Sequence, residues 1–245
     1  MKRCFISGSM SIRKLPQPVI TYLDKIIRKE HIVLVGDAPG VDRLVQEYCC
    51  FRGYYNVVVY SVLEPPRNYL SNRFRLNVVN VPERVKGAAM QQEKDKVMTE
   101  DSDYSFVVWD GRSKGSYANI LRSIRVGKPV DVYLVREKKF IGHRQIREED
   151  ITKIFKREVG YSARDLLDYL HPKRFKRVAD VYSFLIEKKL LKKVGNVYLP
   201  VVEKDERFKV RKWRGRIVGV TFTDRFINWW HKNVEPLSKE NSLFD

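Results

Sequence analysis

Three short segments of this 245-residue chain carry glycine in turns where an anion could be bound. They are Ser7-Gly8-Ser9, Gly36-Asp37-Ala38-Pro39-Gly40 and Asp110-Gly111-Arg112-Ser113-Lys114-Gly115-Ser116. Glycine lets a backbone approach an anion closely, and a helix opening behind the turn supplies free N–H groups and positive potential. Any strand-to-helix turn also needs glycine for its own geometry, so one such loop means little. Three of them on one sheet edge point to a ligand site. Neither a GxxxxGK[ST] loop nor a GxGxxG fingerprint occurs, which argues against an ordinary NTPase or dehydrogenase.

The segments around these turns alternate between two periodicities. Arg3-Cys4-Phe5-Ile6, His31 to Val35, Val57 to Tyr60, Ser105 to Trp109 and Val130 to Leu134 are short apolar runs that read as strands. Pro18 opens a helix that continues to Arg28, and Val41 to Cys50 and Tyr117 to Val126 return to a helical period. Apolar runs alternating with helices predict an α/β fold, a Rossmann-like parallel sheet with helices on both faces. In such sheets ligands bind at the carboxyl ends of the strands, where these turns collect.

In chain order the motifs are Ile6-Ser7-Gly8-Ser9, Val35 to Asp42, Pro66-Arg67-Asn68, Lys94-Asp95 with Met98, Asp103, and the Trp109 to Ser116 loop. That series resembles the SLOG superfamily, the Rossmann-like nucleotide-binding domains related to DprA, the LOG phosphoribohydrolases and the YpsA and YspA groups. The resemblance covers residues 3–135 and implies a nucleotide or nucleotide-derived, ADP-ribose-like ligand. Carried over by position, its contacts are Ser7, Gly8, Ser9, Gly36, Asp37, Gly40, Asp42, Arg67, Asn68, Asp110, Gly111, Ser113, Gly115, Ser116 and Asn119. Arg67 could fork onto a phosphate or be a surface ion pair, and Asp37 could accept ribose hydroxyls. Asp42 could serve the ligand or simply suit the start of a helix. The phosphoribohydrolase loop has the form PGGxGTxxE, and Asn119 stands where its glutamate would be. An amide cannot act as general base, so the resemblance favours binding over cleavage of an N-glycosidic bond. Cleavage by another carboxylate stays open as an alternative. SLOG relatives also imply a homodimer through sheet-flanking helices.

The second half has a different character. Ser162-Ala163-Arg164-Asp165 fits a capping box ahead of Leu166, Leu167 and Leu170. Arg174 to Leu191 reads as a second helix, and Val197 to Val202 and Arg216 to Phe222 read as strands bracketing a charged turn. Thr223 can cap a last helix, Asp224 to Asn233. Helix, helix, hairpin and helix resemble, loosely, a winged-helix-like domain of the phage antirepressor KilA-C type. Lys173, Arg174, Lys176 and Arg177 cluster at one helix start. Arg211, Lys212, Trp213, Arg214 and Arg216 gather at the hairpin. Basic residues interleaved with an aromatic suit phosphate contact and base stacking. DNA is therefore the expected partner of this half, in a phage or mobile-element setting, while a DprA-like protein would instead place single-stranded DNA on the first domain. A solvated basic face is the plainer reading of the same residues.

Composition sets the outer bounds. With 48 Lys and Arg against 30 Asp and Glu, the net charge is +18. Residues 1–140 and 141–245 each carry 24 basic and 15 acidic residues, but residues 160–232 concentrate 18 against 8. The expected organisation is a ligand domain over 1–138, a linker over 139–159 and a basic domain over 160–245. Scattered histidines and three cysteines, two of them adjacent, give neither a metal-ligand spacing nor a disulfide framework. No apolar run is long enough to cross a membrane, and the short apolar N-terminal stretch breaks at Ser7-Gly8-Ser9, so a cytosolic protein without membrane contact is expected.

Overall fold

The computed structural model describes residues 1–170, 175–213 and 215–234. The chain divides into two compact units, Met1–Thr152 and Lys153–Asp245.

The first unit is a seven-stranded sheet in the order β4-β3-β2-β1-β5-β6-β7. Its strands are β1 (Arg3–Gly8), β2 (Ile32–Gly36), β3 (Val57–Ser61), β4 (Arg75–Val78), β5 (Tyr104–Trp109), β6 (Val130–Leu134) and β7 (Lys139–Ile141). All pairings are parallel except that of β7 with β6. Flanking helices are α1 (Gln17–Arg28), α2 (Val41–Phe51), α3 (Ala88–Asp101) and α4 (Lys114–Arg125). The expected Rossmann-like α/β fold is present, and β1 and β5 adjoin where the strand order reverses. Parallel strands covered on both faces are buried along most of their length, which is why Cys4, Phe5, Ile6 and Phe106 to Trp109 are almost wholly enclosed.

Three elements carry no strong apolar signal in sequence. β4 is half exposed. β7 lies in the stretch expected to be a linker, and it joins the sheet because Phe140 packs on Tyr22, Phe106 and Tyr133. α3 buries Lys94 beside Met98 and Thr99, so a charged residue occupies its inward face. Lys128 terminates α3 from outside: its ammonium donates to the carbonyls of Thr99, Glu100 and Ser102 at 2.8, 2.6 and 2.6 Å. Those carbonyls have no helical partner, and a cation favours the helix carboxyl end. Lys128→Met is expected to cost about 1–2 kcal/mol in urea unfolding while leaving far-ultraviolet dichroism unchanged.

The division between the units falls within α5 (Glu148–Val159). The second unit continues with α6 (Ala163–Leu170), α7 (Val178–Glu187), β8 (Leu191–Val194), β9 (Val197–Pro200), β10 (Phe208–Trp213), β11 (Arg216–Phe222) and α8 (Asp224–Asn233). The capping box at α6 is formed: Ser162 N donates to Asp165 Oδ2 at 2.7 Å and Asp165 N to Ser162 Oγ at 3.1 Å. The sheet pairing differs from the sequence reading. β9 pairs with β8, and β11 with β10, giving two antiparallel hairpins instead of one. The lysine-rich strands Leu191-Lys192-Lys193-Val194 and Phe208 to Trp213 hide their pairing because their charges point to solvent. Glycines at 195 and 215, with φ of +57° and +79°, supply the left-handed turn residues. Helix α7 is also shorter than expected and gives way at Lys189, where φ is +55°. An aromatic cluster of Phe208, Phe222, Phe226 and Trp230 fills the core of this unit.

Candidate functional site

At the carboxyl ends of β1, β2 and β5 lies a cavity of about 430 Å³. Of the residues named from the sequence, Ser7, Gly8, Gly36, Asp42, Arg67, Ser113, Gly115, Ser116 and Asn119 line it. Ser9, Asp37, Gly40, Asn68, Asp110 and Gly111 do not. Gly8 is needed for this closeness, since a Cβ there would stand 2.4 Å from the Val108 carbonyl and 2.5 Å from Val41 Cγ2. Gly40 takes φ of +82° and lets the second turn pass the Met10 backbone.

The Asp110 carboxylate organises the third turn. It accepts Arg112 N, Ser113 N and Ser11 Oγ at 2.9, 2.8 and 2.7 Å. Burial alone would raise this carboxyl, but those hydrogen bonds hold it below its ordinary value. Ser9 Oγ accepts Asp110 N at 3.1 Å and so ties the first turn to the third. Lys114, Gly115 and Ser116 then open α4 with N–H groups that have no intrahelical acceptor, and all three line the cavity. Lys114 is exposed at its rim.

A buried charge cluster adjoins the same cavity. Asp37, fully enclosed, accepts Arg67 N, Nε and Nη2 at 3.1, 3.1 and 2.7 Å, Lys94 Nζ at 3.2 Å and Ser61 Oγ at 3.0 Å. Its oxygens are thereby filled from within, which leaves no acceptor for a ribose hydroxyl. Burial would raise the Asp37 carboxyl, yet Arg67 and Lys94 outweigh it and hold it well below the carboxylate range. Asn68 donates to the Asp37 carbonyl at 2.8 Å, and Arg67 also reaches Gln91 Oε1 at 2.9 Å. The Arg67 fork is thus spent on a carboxylate.

The two carboxylates that do face the cavity are Asp42 and Asp95. A Cβ on Gly36 would fall 2.3 Å from Asp42 Oδ2 and 2.8 Å from Lys94 Nζ, so the missing side chain lets acid and ammonium converge over the end of β2. Burial pushes Asp42 up to about 7; Lys94 opposes this, and Asp95 adds to it. Asp95 is raised as well, chiefly by burial. Asn119 is locked between neighbours, donating to Ser7 Oγ at 3.3 Å and accepting Arg122 Nη1 at 2.6 Å. Lys94 and Asp95 appear in the motif series, but neither was among the expected contacts. Their signal was a lysine at a position that helical register turns inward beside Met98.

The expected nucleic-acid residues separate into three groups. Lys173, Arg174 and Arg214 lie outside the described residues, as does the side chain of Trp213. Arg177 pairs with Asp180 at 2.9 Å and closes the start of α7. Lys176, Arg211, Lys212 and Arg216 are exposed without an ion pair among the described residues. Nearby, Lys209 is committed to the Arg157 and Glu158 carbonyls at the end of α5, and Arg207 to Asp205. Among the described residues no group of His, Cys, Asp and Glu is placed to hold a metal ion, and no helix is long and apolar enough to cross a membrane. No family model, curated protein or solved structure matches this chain, so the site is read from its own geometry.

Proposed function

We propose that the first unit binds a nucleotide or nucleotide-derived ligand and that the second, basic unit contacts DNA. The observation that carries the first half is the mixed lining of one cavity. It offers open α4 N–H groups with Lys114, suited to a phosphate, and the carboxyls of Asp42 and Asp95, suited to hydroxyl or amino donors. A phosphate at the α4 turn with a sugar or base reaching Asp42 uses both kinds of group, and the volume admits a mononucleotide-sized molecule. Calorimetry against mononucleotides, cyclic nucleotides and ADP-ribose tests this. At least one is expected to bind, and Lys114→Gln is expected to weaken it about tenfold by removing a charge-assisted contact. Absence of binding to all of them overturns the reading.

The second half rests on Lys176, Arg211, Lys212 and Arg216, which are exposed and have no ion pair among the described residues. Used as a winged-helix-like module, the β10–β11 hairpin would meet the phosphate backbone. Replacing Arg211, Lys212 and Arg216 with glutamine is expected to weaken duplex binding and lower the salt slope by about one per residue removed. Affinity that survives these changes, or a preference for single strands, defeats the assignment.

A second reading is cleavage of the base–ribose bond, favoured by one observation: Asp42 is a carboxyl buried in the cavity lining, and burial raises it toward the range a general acid needs. Base release by the wild-type chain that disappears in Asp42→Asn supports it, and the absence of turnover refutes it.

A further inference from the structure

The amino ends of the same strands enclose a second cavity, of about 330 Å³, on the sheet edge opposite the candidate site. Lys25 and Lys29 reach it from α1, Lys2 from just before β1 and His31 from just before β2. The three lysines are exposed, and none has an ion pair among the described residues. Two carboxylates, Asp103 and Asp131, line the same cavity and keep their charge beside the lysines. Asp131 accepts Tyr22 Oη at 2.6 Å and His143 N and Nδ1 at 2.8 and 3.0 Å. Asp103 accepts the Arg3 backbone N–H at 2.6 Å.

The cationic groups are close enough to affect one another. Burial, then Lys29 and Lys2, depress the His31 imidazole against the opposing pull of Asp103. His31 Nδ1 is held 2.8 Å from Tyr104 Oη, so Nε2 is the ring nitrogen left to meet a ligand. Ile26 and Pro129 supply apolar wall between these groups.

We infer that this cavity is a second anion site, built for a free phosphate-bearing small molecule, with Lys2, Lys25, Lys29 and His31 as its contacts. Three ammonium charges outnumber the two carboxylates, so the recess is net cationic, and flexible lysines can turn onto a phosphate placed between them. The site is independent of the nucleotide reading, because it shares no residue with the carboxyl-end cavity.

The test follows the His31 ring proton by NMR through a pH titration of the full chain, with and without inorganic pyrophosphate. A bound dianion favours the imidazolium, so pyrophosphate is expected to raise the His31 midpoint by about one pH unit. The rise is expected to persist in Lys114→Gln, which alters only the other cavity, and to vanish in the Lys25→Gln, Lys29→Gln double variant. Both lysines are exposed, so that variant keeps the fold. A midpoint indifferent to pyrophosphate, or a rise that survives the double variant, overturns the proposal. A response to duplex DNA but not to pyrophosphate overturns the assignment to a free small molecule.

Discussion

Replacing Asp37 by alanine is expected to cost at least roughly 3 kcal/mol in chemical denaturation, the scale for removing one partner of a buried ion pair. The physical reason is the number of groups that converge on this carboxylate. Arg67 donates to it three times, Lys94 once and Ser61 once. Removing it leaves the Lys94 ammonium enclosed beside two carboxyls that burial already makes reluctant to ionise. It also releases the Arg67 guanidinium into the cavity. Asp37→Asn keeps the shape and some hydrogen bonds, so it should fall between wild type and alanine. An alanine variant as stable as wild type would show that the cluster adds little to the fold.

The second large effect is a dependence on pH that belongs to Asp42. Burial pushes its carboxyl up to about 7 in the folded chain, from an ordinary value of 3.8. A raised acid favours folding while protonated. That contribution is fully present below the unfolded value and is lost as pH rises through the folded one. Across the window from about pH 4 to pH 7 the loss sums to roughly 4 kcal/mol for a shift of this size. Urea midpoints should therefore fall as pH rises from about 4 to about 7 and level off above that. Asp42→Asn, which can still accept the Ala38 N–H in place of the 3.2 Å bond, should remove that slope and be the more stable chain in mild alkali. Asp37 acts in the opposite sense: its lowered value contributes stability above the ordinary carboxyl range, and this is lost in acid below it. The two arms occupy different pH windows, so one titration separates them. A wild-type profile flat between about pH 4 and pH 7 would mean that Asp42 ionises in the folded state as readily as in the unfolded one.

How the site divides between sequence and tertiary structure follows from what each residue pattern can encode. Short apolar runs such as Phe5-Ile6 and Phe106 to Val108 announce parallel strands, because both faces of such a strand are buried. Glycines at the ends of such strands announce turns, and Gly8 and Gly36, which close β1 and β2, stand where a Cβ would collide. The capping box at Ser162 and Asp165 is legible for a similar reason, since both of its hydrogen bonds are local. The elements that went unread are those whose burial or pairing is not apolar or not local. α3 turns Lys94 inward, β7 is held by Phe140, and the strands β8 and β10 are full of lysine and arginine.

By itself, then, the sequence determined the α/β architecture, the three turns and the concentration of positive charge in the second unit, because these depend on periodicity, glycine and composition. Only the tertiary structure decided that Arg67 spends its fork on Asp37, that Lys94 completes the cluster, and that Asp42 and Asp95 are the acids facing the cavity. Residues 37, 67 and 94 meet because β2 and β3 lie side by side and α3 crosses back over them. A buried charge looks the same in sequence as a solvated one, and its partner is named only when distant segments are brought together.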